Sequence, residues 1–217
     1  MSIRIVLADD HTIVRYGLSR AFEQETDIDV VGLAQNGLSA VRLVKELSPD
    51  AVVMDISMPD LNGIEATHQV LKILPRVKVV ALSMHSSDKY VREMFRAGAS
   101  AYLLKDCPFE ELVEAIKTVI DGKTYVSPSI SGLVINNYLG KSGEVEDSAF
   151  SVLSRREREV LQLLAEGNTT KQVGKRLHIS PKTVEVHRIR IMNKLDIDNI
   201  AQLTKYAIQE GLTQADP

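Results

Sequence analysis

Five residues have the types and spacing to do chemistry together: Asp9, Asp10, Asp55, Ser83 and Lys105. Each ends or closely follows a short run rich in Val, Ile or Leu. Three carboxylates brought together repel, and one or more takes up a proton unless a cation intervenes. A hard divalent ion with oxygen ligands meets that need. Mg2+ suits it, being octahedral, slow to shed its waters and commonly paired with carboxylates and a phosphate. Lys105 brings a second positive charge, useful only when a further anion arrives. A carboxylate can itself be a nucleophile and form an acyl phosphate. The set points to Asp55 as the acceptor of a phosphoryl group, neutralised by metal and Lys105 and hydrogen-bonded by Ser83. Taken singly, each residue has a plainer reading. An aspartate after a strand is usually a turn residue or a helix cap, and Asp10 could cap a helix beginning near His11.

The elements that must position these residues follow from the apolar pattern. Ile3–Ala8, Ile28–Ala34, Asp50–Asp55, Val77–Ser83 and Ala101–Leu104 read as strands. Between and after them, Ile13–Glu23, Leu38–Leu47, Ile64–Leu74, Lys89–Ala97 and Phe109–Ile120 read as amphipathic helices. Strands alternating with helices imply a parallel sheet covered on both faces. Five such units predict an α/β flavodoxin-like (βα)5 domain over residues 1–121, with strand order 2-1-3-4-5. In that order the ends of strands 1, 3, 4 and 5 are neighbours, which gathers the five residues around one crevice.

The pattern then changes. Residues 122–149 hold Gly122, Pro128, Gly132, Gly140 and the polar run GKSGEVEDS, and read as linker with one short helix over 130–139. Residues 150–217 read as a small all-α domain of four helices. Ser154 and Glu157 fit a capping box, and Gly167 marks the end of that helix. A second helix begins near Thr170. Ser180 and Pro181 open a third, which runs to about Leu195, and Ile200–Gln209 is the fourth. With Val184, Ile191 and Leu195 inward, Lys182, Glu185, Val186 and Ile189 point outward. Lys171, Arg190 and Lys194 are placed to meet phosphates. Two helices joined by a short turn make a helix-turn-helix, whose second helix enters the DNA major groove. A plain helical bundle with a solvated basic face fits the same pattern.

Composition bounds the class. Of 217 residues, 25 % are charged and 44 % apolar, ordinary for a soluble globular protein. After Phe150 there are 11 basic and 8 acidic residues, and before it 15 and 21, so a mildly basic end follows an acidic body. Cys107 is the single cysteine and forms no internal disulfide, which fits a reducing compartment. The first residues, MSIRIVLADDH, place aspartates where a signal peptide needs its apolar core, and no run reaches the ~20 apolar residues of a membrane helix. A cytoplasmic protein without membrane contact is expected.

The segments ADDH (8–11), VVMDISMPDLNG (52–63), ALS (81–83) and YLLKD (102–106) closely resemble the receiver domain of two-component response regulators, over residues 3 to about 121. The segment LSRREREVLQLLAEG, followed by TTKQVGKRLHISPKTVEVHRIRIMNKL, resembles the LuxR-type helix-turn-helix of the NarL/FixJ subfamily. The resemblance implies that Asp55 is phosphorylated by a sensor histidine kinase. It implies Mg2+ on Asp10, Asp55 and the Ser57 carbonyl, with Asp9 acting mainly through water. Ser83 and Tyr102 resemble a switch pair, the Tyr102 ring turning inward as Ser83 moves to the phosphate. DNA contacts are expected from Lys171, Lys182, Thr183, Glu185, Val186, His187, Ile189, Arg190 and Lys194, and Glu185 could accept from a cytosine amino group. The expected partners are the kinase, double-stranded DNA with paired half-sites, a second copy in an activated homodimer through Ile200–Gln209, and RNA polymerase as a further candidate. No enzymatic turnover is expected beyond Mg-dependent self-phosphorylation and slow loss of phosphate at Asp55.

Two departures stand out. Asp106 follows Lys105 where many receivers have proline, leaving the isomer of that peptide open. Gly174 stands where the subfamily usually has alanine, at a cost of about 1 kcal/mol in a helix interior. Other classes stay open on the residues alone: a hydrolase with an aspartyl nucleophile, a flavin-binding module on the same fold, and a regulator that binds DNA without phosphate.

Overall fold

The computed structural model describes residues 2–132 and 149–213. The chain divides into two compact units, one built on a sheet and one all helical.

In the first unit, β1 (Ile3–Ala8), β2 (Ile28–Ala34), β3 (Ala51–Met54), β4 (Lys78–Ser83) and β5 (Ala101–Leu104) alternate with five helices. These are α1 (Thr12–Phe22), α2 (Gly37–Leu47), α3 (Gly63–Ile73), α4 (Asp88–Ala97) and α5 (Phe109–Ile120). A sixth strand, β6 (Tyr125–Val126), follows. All pairings are parallel and the order is β2-β1-β3-β4-β5-β6. The expected doubly wound sheet is therefore present with one addition, since Tyr125–Val126 falls where the apolar pattern points to linker. Two residues are too few to register as an apolar run. They cover the edge of β5, the Tyr125 amide donating to the Ser100 carbonyl and the amide of Ser127, just past the strand, to that of Tyr102.

Side chains alternate across the sheet. Ile5, Leu7, Val53, Val80, Leu82 and Leu103 pack with Phe22 of α1 and Leu112, Ile116 and Val119 of α5. Val6, Val52, Met54, Val79 and Ala81 are equally buried on the other side. Strands buried on both faces explain why the sequence runs are continuously apolar.

The second unit contains α6 (Ala149–Val152), α7 (Arg155–Ala165), α8 (Thr170–Leu177), α9 (Pro181–Leu195) and α10 (Ile200–Gln209). The four longer helices are the expected ones, and α6 is one added turn. Ser154 and Glu157 form the capping box of α7, and Thr169 and Gln172 form another on α8. Ser180 caps α9 with Pro181 at its first position. Gly167 (φ 79°) ends α7. Val160, Leu161, Leu163, Val173, Val184, Ile191, Leu203 and Ala207 make the core. Of the expected helix over 130–139, backbone at 130–132 is helical and the remainder lies outside the described residues.

Gly174 has a reason in this unit. A Cβ there would lie 2.8 Å from the Ile179 carbonyl oxygen, which belongs to the turn between α8 and α9. The turn packs onto the helix where a methyl group would otherwise stand.

Candidate functional site

The strand order reverses between β1 and β3, and in such sheets the crevice opens beyond the carboxyl ends of those strands. Ala8 pairs with Met54, so Asp9 and Asp55 follow at adjacent ends, and the Asp55 amide donates to the Ala8 carbonyl at 2.8 Å. Ser83 pairs with Leu104, and the Lys105 amide donates to the Ser83 carbonyl at 2.8 Å. Asn62 caps α3 by accepting from the Glu65 amide. A Cβ at Gly63 would lie 1.9 Å from the Asp55 carbonyl oxygen, so only glycine lets α3 begin this close to the acidic loop.

Lys105 Nζ stands between Asp9 Oδ2 (2.8 Å) and Asp55 Oδ2 (2.7 Å), all three side chains nearly buried. Burial raises the Asp55 carboxyl, Lys105 opposes this, and Asp9 adds repulsion, leaving Asp55 at about 6. Burial pulls the Lys105 ammonium down, but Asp55 and Asp9 more than offset it and hold Lys105 above its ordinary value. Asp9, Asp10, His11 and Asp55 each offer a ligand atom, all within 4.8 Å of one another. Asp10 Oδ1 is buried and accepts no hydrogen bond, although His11 Nδ1 is 2.8 Å away. A group of carboxylates whose buried Asp10 oxygen has only the neighbouring His11 ring beside it fits a hard divalent cation. Asp10 does not cap α1. His11 holds the cap position, and its amide is taken by Asp9 Oδ1 at 2.8 Å.

Ser57 is nearly buried two residues past Asp55, and its amide donates to Asp55 Oδ1 at 3.4 Å. Ser83 is fully buried, and its Oγ accepts from the His85 amide at 3.0 Å. Tyr102 is also fully buried, its hydroxyl donating to the His85 carbonyl at 2.6 Å. Burial holds its phenol well above the ordinary value, with the Ser83 hydroxyl pulling the other way. The ring is thus turned inward in this structure. The Lys105–Asp106 peptide is trans, as are all peptide bonds among the described residues.

In the helical unit, Lys182, Thr183, Val186, Ile189 and Arg190 are exposed along α9, and Lys171 is exposed in the first turn of α8. Glu185 and His187 are half-buried. Glu185 Oε1 accepts from the Thr170 hydroxyl at 2.8 Å and lies 3.5 Å from Arg188 Nη1. Lys194 differs from expectation. Its ammonium is 2.7 Å from the Glu157 carboxylate and 3.4 Å from the Val152 carbonyl oxygen, so it is already engaged within the unit.

Residues 5–117 match the response regulator receiver domain, and residues 151–207 match the bacterial regulatory proteins of the luxR family. The chain is 36 % identical over 214 residues to the oxygen regulatory protein NreC of Staphylococcus carnosus, covering 97 % of this chain and 99 % of that one. It is 37 % identical over 222 residues to the transcriptional regulatory protein DegU of Brevibacillus brevis, covering 96 % and 94 %. The chain is a two-component response regulator of the NarL/FixJ subfamily. The RcsB response regulator of Salmonella typhimurium has a similar structure, at 26 % identity and a TM-score of 0.59, covering 94 % of this chain and 97 % of that one.

This response regulator thus carries the acidic crevice in a receiver domain and α8–α9 in a LuxR-type DNA-binding domain that regulates transcription. Its family sets aside the flavin-binding and hydrolase readings. Among its described residues no helix is long and apolar enough to cross a membrane.

Three receiver side chains at the site escape reading from sequence. His11 Nδ1 stands 3.3 Å from Asp9 Oδ1. Arg15, buried in α1, donates from Nη1 to the Asp9 carbonyl at 2.5 Å. His85 Nε2 pairs with Ser57 Oγ at 2.8 Å, and its ring stacks on Tyr90 with centroids 4.2 Å apart. Burial, helped by the Lys105 charge, lowers the His85 imidazole below its usual value. A signal for His85 exists, since it lies two residues past Ser83 in the loop that follows the strand. Arg15 has none, because no spacing rule marks an arginine that turns back under its own helix.

Proposed function

We propose that this regulator is switched by phosphorylation of Asp55 by a sensor histidine kinase, and that the switch controls binding of a homodimer to paired DNA half-sites. The observation that carries the reading is the Asp55 carboxylate itself, 2.7 Å from Lys105 and clustered with the carboxylates of Asp9 and Asp10. An Asp55 carboxylate oxygen attacks the phosphorus of a phosphohistidine, the P–N bond breaks, and the imidazole leaves. Bound at this site, Mg2+ neutralises charge on the phosphoryl oxygens. Asp10, Asp55 and the Ser57 carbonyl would hold it, with Asp9 acting through water. Lys105 exchanges a carboxylate partner for a phosphoryl oxygen, and the Ser83 hydroxyl donates to another. The new dianion biases an existing two-state equilibrium in which the loop after β4 and Tyr102 take part.

In the output domain, α9 enters the major groove, Lys171, Lys182 and Arg190 meet phosphates, and Thr183, Glu185, Val186, His187 and Ile189 face the bases or sugar edges. Lys194 contributes less to phosphate binding than its position suggests, because Glu157 holds it. The receiver, residues 1–121, carries β6 at its sheet edge, and the DNA-binding domain begins with α6 at Ala149. The regulator acts in the cytoplasm, with RNA polymerase as a further partner.

Acetyl phosphate with Mg2+ tests the reading. Wild-type protein is expected to gain one acid-stable, hydroxylamine-labile phosphoryl group, to shift toward dimer in sedimentation and to bind its operator more tightly. Asp55→Asn is expected to do none of these. Equal labelling of Asp55→Asn would remove Asp55 as the acceptor. Labelling without change in dimerisation or affinity would favour a regulator that binds DNA independently of phosphate.

A further inference from the structure

Along α9, Lys182, Val186, Ile189 and Asn193 stand on one side at i, i+4, i+7 and i+11, and all four are exposed. Val186 and Ile189 are large apolar residues left 41 % and 54 % exposed. They are not slack from the core, because Val184 and Ile191 are the fully buried residues of this helix. The apolar pair is flanked by exposed cations, Lys182 toward one end and Arg190 beside it, with Lys171 on α8. An apolar strip bordered by positive charge matches a polyanion that carries apolar groups of its own. In the major groove the one apolar group presented by a base is the thymine C5-methyl. Glu185, which could otherwise accept from cytosine, is tied to Thr170 and faces Arg188.

Resting on the placement of α9 in the major groove, we infer that Val186 and Ile189 are specificity-determining residues that read thymine methyl groups, so each half-site carries thymines where these two side chains meet it. Arg190 and Lys182 hold the register through phosphates, and the apolar pair supplies the choice of base. Contact removes a methyl and its partner side chain from water, and the methyl is absent from every competing base.

The test uses the full-length protein with Mg2+ and acetyl phosphate. Duplexes are selected from a random-sequence pool, and the bound sequences are resynthesised with deoxyuridine replacing thymidine one position at a time. Uracil keeps every hydrogen-bonding group and loses only the methyl. Affinity is expected to fall about fourfold at each of one or two positions per half-site, the size expected for one methyl-sized burial. Ile189→Ala and Val186→Ala should each abolish the uracil effect at one position and keep the salt dependence. Lys182→Ala should weaken thymine and uracil duplexes alike and flatten the salt dependence. Equal affinity for uracil and thymine duplexes overturns the inference, as does a uracil effect that survives in Ile189→Ala. If Lys182→Ala and Arg190→Ala change neither affinity nor salt dependence, the placement of α9 falls and the inference with it. If Ile189→Ala and Val186→Ala instead weaken a dimer formed without DNA, a second copy covers the strip and the inference is equally overturned.

Discussion

Lys194 Nζ lies 2.7 Å from the Glu157 carboxylate, so a lysine near the end of α9 closes the cap at the start of α7. Glu157 is buried and also accepts from the Ser154 amide and hydroxyl. Removing the ammonium leaves a buried carboxylate short of its charge partner. Lys194→Ala is expected to lower the stability of the DNA-binding domain by about 1–3 kcal/mol. Urea denaturation followed by circular dichroism measures it. An unchanged unfolding midpoint together with a flattened salt dependence of DNA binding would return Lys194 to the phosphate contacts.

The same pair sets a pH dependence. Burial raises the Glu157 carboxyl, but hydrogen bonds from Lys194 and Ser154 outweigh it and hold the group below its ordinary value. Its contribution is therefore complete above the unfolded carboxylate value and is lost as pH falls through the lower folded one. Glu157→Gln should lose less stability than wild type between pH 5 and about pH 3, a window set by the ordinary carboxylate range. Parallel stability profiles for the two proteins would count against the cap as an ionised group.

Asp55 runs the other way. Its folded value, about 6, is above the ordinary carboxylate value, so the folded state binds the proton more tightly. Ionised Asp55 thus costs stability above pH 6, and the cost fades as pH falls toward the unfolded value. At pH 7.5 without divalent cation, Asp55→Asn is expected to raise receiver stability by about 1–3 kcal/mol, the relief of a buried carboxylate offset in part by the partner that Lys105 loses. Calorimetry of the two proteins decides it, and a lower midpoint for Asp55→Asn would mean that the Lys105 pairing dominates.

Mg2+ should reverse that cost. Titrated at pH 8, it is expected to raise the wild-type thermal midpoint, with a smaller rise in Asp55→Asn and in Asp10→Asn. Affinity should weaken as pH drops through about 6, where Asp55 takes up its proton. Binding that is flat from pH 8 to pH 5 would place the cation away from Asp55.

Gly174→Ala tests a close contact. Helix propensity alone favours alanine by about 1 kcal/mol. A Cβ there would meet the Ile179 carbonyl oxygen at 2.8 Å, and backbone must shift to admit it. The substitution is expected to destabilise the DNA-binding domain despite its propensity gain. A raised unfolding midpoint would show that the turn yields easily.

The amino-acid sequence by itself determined the strand and helix alternation of the receiver, the caps of α7 and α9, and the acids and lysine that end up at one crevice. These were legible because apolar period and capping chemistry act within a few residues of the chain. The strand ends of a doubly wound sheet also converge by topology, so Asp9, Asp55, Ser83 and Lys105 could be grouped before any distance was known. Tertiary structure decided what neither apolar period nor a capping rule marks. It placed Lys194 on Glu157 rather than free, set His85 against Ser57 and Tyr90, and turned Arg15 back to the Asp9 carbonyl. It also added β6, held through the amides of Tyr125 and Ser127 by the carbonyls of Ser100 and Tyr102, and gave Gly174 its reason in a carbonyl oxygen five residues on. Each of these is a long side chain or a backbone group choosing among partners that periodicity does not distinguish, and only packing settles which partner is within reach.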